Sequence, residues 1–132
     1  MPVVSTAVAA MGSGNRPDWC EVTSSGIFRV LPGGRFDCHF HDCHEYWLVF
    51  KGKAKVMSEG KEYYAQAGDI VCTRAGDEHD VLEIYEPVKA FWFEDSTPSG
   101  GRIGHLHRDA DKARGHEVPQ RPVPADFPGQ AG

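Results

Sequence analysis

Gly33-Gly34-Arg35-Phe36-Asp37-Cys38-His39-Phe40-His41-Asp42-Cys43-His44-Glu45-Tyr46-Trp47-Leu48-Val49-Phe50-Lys51-Gly52 is the stretch on which the fold and chemistry of this chain turn. His39 and His41 are two apart, Glu45 lies four further on, and a second glycine-punctuated run from Gly68 ends in His79. Side chains along a strand alternate between faces, so residues two apart point the same way. His39 and His41 therefore project together, with Arg35 and Asp37 on their face and Phe36, Cys38 and Phe40 on the other. A turn or bulge near Asp42 and Cys43 would bring Glu45 beside the two imidazoles. His79 has to arrive from another strand, which a closed barrel allows and an isolated hairpin does not. Three imidazoles and a carboxylate make a nitrogen/oxygen donor set that suits Fe(II), Ni(II), Mn(II), Zn(II) or Cu(II), and ligand type alone does not choose among them.

The flanking sequence is built of short strand-like runs. Ile27–Leu31 ends at Pro32-Gly33-Gly34, and Tyr46–Phe50 is closed by Lys51-Gly52-Lys53. Ala54–Met57 and Glu62–Ala65 flank the hairpin turn Ser58-Glu59-Gly60-Lys61, while Gly68–Thr73 and Val81–Tyr85 flank a second turn, with Val88–Phe93 as the last strand. Many short strands with Gly-rich turns imply an antiparallel sandwich or small barrel. Residues 1–18 lack periodicity and are expected as a flexible arm, 19–95 as the all-β barrel, and 96–132 as an extended Pro/Gly-rich tail, since Pro119, Pro122, Pro124 and Pro128 cannot donate to a sheet ladder.

The 132 residues are 40% hydrophobic and 25% charged, the balance of one globular domain. A net charge of −5 with scattered Lys and Arg argues against a nucleic-acid surface. No apolar run approaches the roughly 20 residues of a membrane helix. Without Lys or Arg before Arg16 a secretory signal is not indicated, so a cytoplasmic location is expected. Cys20, Cys38, Cys43 and Cys72 contain no C-x-x-C pair, and a disulfide framework is not expected. Cys38 and Cys43 bracket the histidines too widely for a structural zinc knuckle, and Cys38 and Cys72 are expected as small buried residues.

Gly33…His39-Phe40-His41…Glu45…Gly52 resembles the first motif of the cupin superfamily, G-x5-H-x-H-x3-4-E-x6-G, at every fixed position. Gly68, Gly76 and His79 match the second motif, G-x5-P-x-G-x2-H-x3-N, with Arg74 where Pro is usual and Glu83 where Asn is usual. The resemblance implies a double-stranded β-helix, or jelly-roll barrel, with one divalent metal held near its mouth by His39, His41, Glu45 and His79. It also implies a homodimer and a small-molecule substrate.

Trp47 continues the parity of Glu45 and is expected in the pocket wall, as is Trp92 from the last strand. Arg35 and Asp37 are candidates for holding an anionic or hydroxylated substrate. His44 is expected at solvent or behind the ligands, and the second His-x-His, Gly104-His105-Leu106-His107-Arg108, as surface tail, the alternatives being that it folds over the mouth or lies against the partner subunit. Functionally the expectation is a metal-dependent enzyme in which Glu45 moves a proton. By family resemblance it is either a dioxygenase or an isomerase or lyase acting on a sugar or sugar acid. The alternative is a non-catalytic binding or sensing module. A wall of Trp and Phe would point to aromatic substrates, one of Arg, Asp and Tyr to sugars or acids.

Overall fold

A computed structural model of the chain describes residues 3–95 and 104–129. Its elements are β1 (Val22–Val30), β2 (Arg35–Phe36), β3 (Glu45–Ser58), β4 (Lys61–Gln66), β5 (Ile70–Thr73), β6 (His79–Asp95), α1 (Ala110–Arg114) and β7 (His116–Glu117). Antiparallel pairing orders one sheet β1-β6-β3-β4, with β5 also on β3, and a second small sheet joins β2 to β7. The expected all-β architecture is what forms.

Two long strands do most of the work. Tyr46–Phe50 and Ala54–Met57 are not separate strands, because β3 runs on through Gly52, and β6 likewise runs through Pro87. The register between β3 and β6 slips repeatedly across this bend. The slip inverts the pleat: Glu45, Trp47 and Val49 are buried before it, Ala54, Val56 and Ser58 after it. Each strand can thus pair with different neighbours at its two ends while keeping its apolar side inward. Gly52 is essential to the bend. It has φ of 94°, and a Cβ there would collide with the Pro87 carbonyl. At the other end of β3, Glu59 and Gly60 both take positive φ, the primed turn geometry that suits a tight hairpin.

Val30, Trp47, Val49, Val56, Val81, Ile84, Val88 and Val118 fill the interior. Val118 belongs to the segment expected as an extended tail, ordered only where it packs on the barrel or a neighbouring subunit, and it packs on the barrel. That segment also carries α1, whose first turn is capped by Lys112 N donating to Asp109 Oδ1 (2.8 Å), and β7. Beyond β7, Ile84 N donates to Pro119 O (3.0 Å) and Arg121 N to Ile84 O (2.9 Å). Burying Val118 and Phe127 contributes roughly 1.5–3 kcal/mol each. Near the start of the chain, Met11 is buried and exchanges backbone hydrogen bonds with Ser25. Residues 96–103, the start of the expected tail, lie outside the described residues. Cys72, expected inside, is exposed on β5, while Cys38 and Cys43 are buried. No helix among the described residues is long and apolar enough to cross a membrane.

Substituting Gly52→Ala is expected to lower unfolding stability by roughly 1–3 kcal/mol or more, through positive φ and the Pro87 collision together, read from a urea midpoint at unchanged slope.

Candidate metal centre

His39 and His79, forty residues apart in sequence, are direct partners in an antiparallel bridge, donating N–H to each other's carbonyls at 3.2 and 2.8 Å. That pairing sets their rings side by side, with Nε2 atoms 2.9 Å apart. His41 follows two residues on, and the turn at Asp42–Cys43 returns Glu45 to the same side. Glu45 Oε2 is 3.0 Å from His41 Nε2, and Oε1 is 3.1 Å from His79 Nε2. All four residues are buried, and each offers a donor atom within 4.8 Å of the others.

The proton inventory of this cluster favours a cation. His39 Nδ1 lies 2.6 Å from the Asp37 carbonyl and His41 Nδ1 3.0 Å from the Gly104 carbonyl. A carbonyl only accepts, so each Nδ1 carries the proton and each Nε2 presents a lone pair inward. His41 Nε2 and His79 Nδ1 are buried without a well-aligned hydrogen bond. Lone pairs and a carboxylate are thus turned on one another, which is what a divalent metal requires of its ligands.

The electrostatics agree. Burial would push the Glu45 carboxyl up, but the adjacent His41 and His79 rings outweigh it and hold the group well below the usual carboxylate range. Burial, reinforced by His79 and His105, pushes His39 down to about 3, so it stays neutral and ligating. At His41 burial opposes a charge, yet the Glu45 contact and the Glu45 and Glu94 carboxylates together raise its pKa. The pocket therefore favours positive charge beside Glu45, the demand an ion would meet.

The cluster opens onto a cavity of about 360 Å³. Phe28, Phe36, Trp47 and Trp92 form the apolar part of its wall, with Ser24, Glu94 and His105 beside the cluster. Trp47, expected there, also fixes Glu45 by donating Nε1–H to Oε1 at 2.7 Å. Trp92, also expected, lies over Gly26, where any side chain would displace the indole. Phe91 and Phe93 flank it with the opposite parity.

Arg35 is a correction. It is exposed, donates to the Arg114 carbonyl at 3.0 Å and does not line the cavity, whereas Phe36, assigned to the other face, does. The ladder lapses at Asp37–Cys38, between β2 and the His39 bridge, and this break puts Phe36 rather than Arg35 on the His39 face. Asp37 is absent from the lining as well and is engaged by the rings of His105 and His107. His44 is exposed, and its Nδ1 accepts from Ala75 N at 2.9 Å. Cys38 lies outside the donor group, and burial with the nearby Glu78 and Asp80 charges pushes its thiol up to about 12.

Besides Phe36, the sequence reading missed Ser24, Phe28, Glu94, Gly104 and His105 in the cavity wall. Glu94 is buried, pairs in register with Glu45 and sits 3.4 Å from His41 Nδ1. Its signal was available, since it continues the inward parity of Trp92. His105 stacks on His39 at 3.7 Å and 8°. No local pattern predicts that contact.

The cupin domain family matches residues 26–94, more than half the chain, and the protein belongs to the cupin family. A protein of Sinorhizobium fredii, itself uncharacterized, is 37% identical over 71 residues, covering 54% of this chain and 33% of that protein. A double-stranded β-helix protein from Klebsiella pneumoniae superposes with a TM-score of 0.56 at 18% identity, covering 82% of this chain and 99% of that one. The DMSP lyase DddQ of Ruegeria pomeroyi gives 0.54 at 18% identity, covering 64% and 43%. Salicylate 1,2-dioxygenase of Pseudaminobacter salicylatoxidans gives 0.51 at 16%, covering 57% and 21%. The chain thus spans a third of the Sinorhizobium relative and under half of either enzyme, and at these identities the structures share the fold.

His39→Ala, His41→Ala and His79→Ala are each expected to leave a folded barrel that no longer gains thermal stability from added divalent metal, whereas the unaltered chain gains by the binding linkage. Differential scanning calorimetry with and without metal reads this directly.

Proposed function

We propose that this cupin is a metal-dependent enzyme acting on a small, flat, largely apolar molecule that carries an oxygen-bearing group. The observation behind this reading is the wall of Phe28, Phe36, Trp47 and Trp92 around the histidine cluster. Sugar or sugar-acid chemistry, an expectation from family resemblance, finds no support in that wall. Among the described residues no Arg or Lys lines it to hold a sugar-acid carboxylate. A ring stacked between Phe and Trp loses its hydration at little cost, whereas each buried hydroxyl without a partner costs about 1–3 kcal/mol.

His39, His41, Glu45 and His79 would hold the metal, which when bound supplies Lewis-acid polarisation of the substrate oxygen and, if it is iron, access to dioxygen chemistry. The chain's own residues have distinct tasks. Trp47 holds Glu45 in place, and the Asp37 and Gly104 carbonyls fix the tautomers of His39 and His41. With Glu45 committed to the ligand set, we assign proton movement to Glu94 instead. Glu94 lines the same cavity and hydrogen-bonds Glu45, a contact between carboxyl groups that needs a shared proton. Oxidative ring chemistry with iron is the reading the aromatic wall favours.

The test is elemental analysis of natively expressed protein, followed by oxygen uptake with a panel of hydroxylated aromatic acids against a matched panel of sugar acids. Turnover confined to the aromatic panel supports the proposal, and turnover confined to the sugar acids overturns it. Ligand binding without turnover on either panel favours a sensing module. Glu94→Gln is expected to reduce kcat by roughly 100-fold or more at unchanged metal content.

A homodimer is also proposed. The outer face of the main sheet carries Ile27, Leu48, Ile70 and Phe91 in one cross-strand row, with Phe50 and Phe93 against Phe91. Ile70 is 61% exposed and Phe50 42%. An apolar row of this kind on a sheet face suits a second copy. Phe91→Glu is expected to halve the mass seen by light scattering.

A further inference from the structure

The second His-x-His has no task in the chemistry above, and its position gives it one. Leu106 bridges Phe40 in antiparallel fashion, with N–H···O distances of 3.0 and 2.9 Å. Positions flanking an antiparallel pair oppose each other, so His107 comes across from His39 and His105 across from His41. The tail motif therefore lies over the barrel motif at the mouth, held by two backbone hydrogen bonds rather than draped on the surface. Arg108 adds to this anchorage, with its guanidinium 4.5 Å from the Phe40 ring centroid and Nη2 donating to the Gly76 carbonyl at 2.6 Å.

From this fixed backbone both tail rings converge on one oxygen. His105 Nδ1 is 3.0 Å and His107 Nε2 2.7 Å from Asp37 Oδ2. His39 Nδ1 is 3.2 Å from the same oxygen, but its proton is directed to the Asp37 carbonyl at 2.6 Å. Asp37, His39 and His105 offer donor atoms mutually within 4.8 Å. A neutral imidazole turns the same nitrogen from hydrogen-bond donor to ligand by moving its proton to the other ring nitrogen. An ion held by Asp37, His105 and His107 would take the place of the two ring contacts to the Asp37 oxygen.

We propose that Asp37, His105 and His107 form a second divalent-cation site at the mouth of the barrel, beside the inner cluster. Two imidazoles and a carboxylate select a borderline metal such as Zn(II), Ni(II) or Cu(II) over Mg(II) or Ca(II), which want oxygen donors. The bound ion would pin the His105–His107 segment to Asp37. Because His105 is part of the cavity wall, it would also fix the shape of the entrance.

The inference stands apart from the enzymatic reading, and its test separates the two. Chelator-stripped full-length protein is titrated with Zn(II) by equilibrium dialysis. The unaltered chain is expected to bind two ions, the double variant His105→Gln/His107→Gln one, and His41→Ala one. One ion on the unaltered chain, or two on the double variant, overturns the outer site. Retention of two ions by His41→Ala would instead contradict the inner centre alone. Far-UV circular dichroism checks that the double variant folds, and His107→Gln alone, expected to bind one ion, replaces it if it does not. As an independent readout, Zn(II) is expected to slow trypsin cleavage after Arg108 in the unaltered chain and in His41→Ala but not in the double variant. Equal cleavage rates with and without Zn(II) in the unaltered chain would overturn the proposal.

Discussion

The backbone pairing of His39 with His79 is the contact on which the rest of the site depends. Two reciprocal hydrogen bonds between strands far apart in sequence place two imidazoles at van der Waals range in a buried interior. Burying three histidines and a carboxylate is costly unless their polar atoms are paired. Two of the histidines spend their outer nitrogens on backbone carbonyls, which leaves the inner nitrogens as lone pairs facing Glu45. The site therefore gathers lone pairs and a carboxylate at one point, and this follows from chain topology rather than from any one side chain.

The bend at Gly52 and Pro87 makes that topology possible. A single pair of long strands, β3 and β6, turns its apolar face inward on both sides of the bend only because the register slips there. The same inward face ends in Trp47, Glu45, Trp92 and Glu94 at the mouth. Core and cavity wall are thus continuous along the same strands, and the aromatic lining of the cavity is the upper layer of the hydrophobic core.

Much of this was legible in the sequence. The convergence of His39, His41, Glu45 and His79 followed from side-chain alternation plus one distant histidine, and the place of Trp47 in the wall from parity with Glu45. Where the reading failed, it failed at interruptions of the ladder. The break at Asp37–Cys38 exchanged Arg35 for Phe36 at the cavity. Lys51-Gly52-Lys53 looked like the end of a strand because a glycine at a bulge and a glycine at a turn carry the same local signal. The docking of His105 and His107 rests on pairing between Phe40 and Leu106, a contact of long sequence separation that no composition or period encodes. Glu94 was the one omission that alternation alone would have supplied.

The most direct measurement of the central claim is anomalous diffraction from a crystal of the protein loaded with one equivalent of a divalent transition metal. The account predicts a peak within about 2.0–2.2 Å of Nε2 of His39, His41 and His79 and of a Glu45 oxygen. A strong peak ligated by Cys38 sulfur, or an empty position among those four side chains at full metal loading, would contradict it.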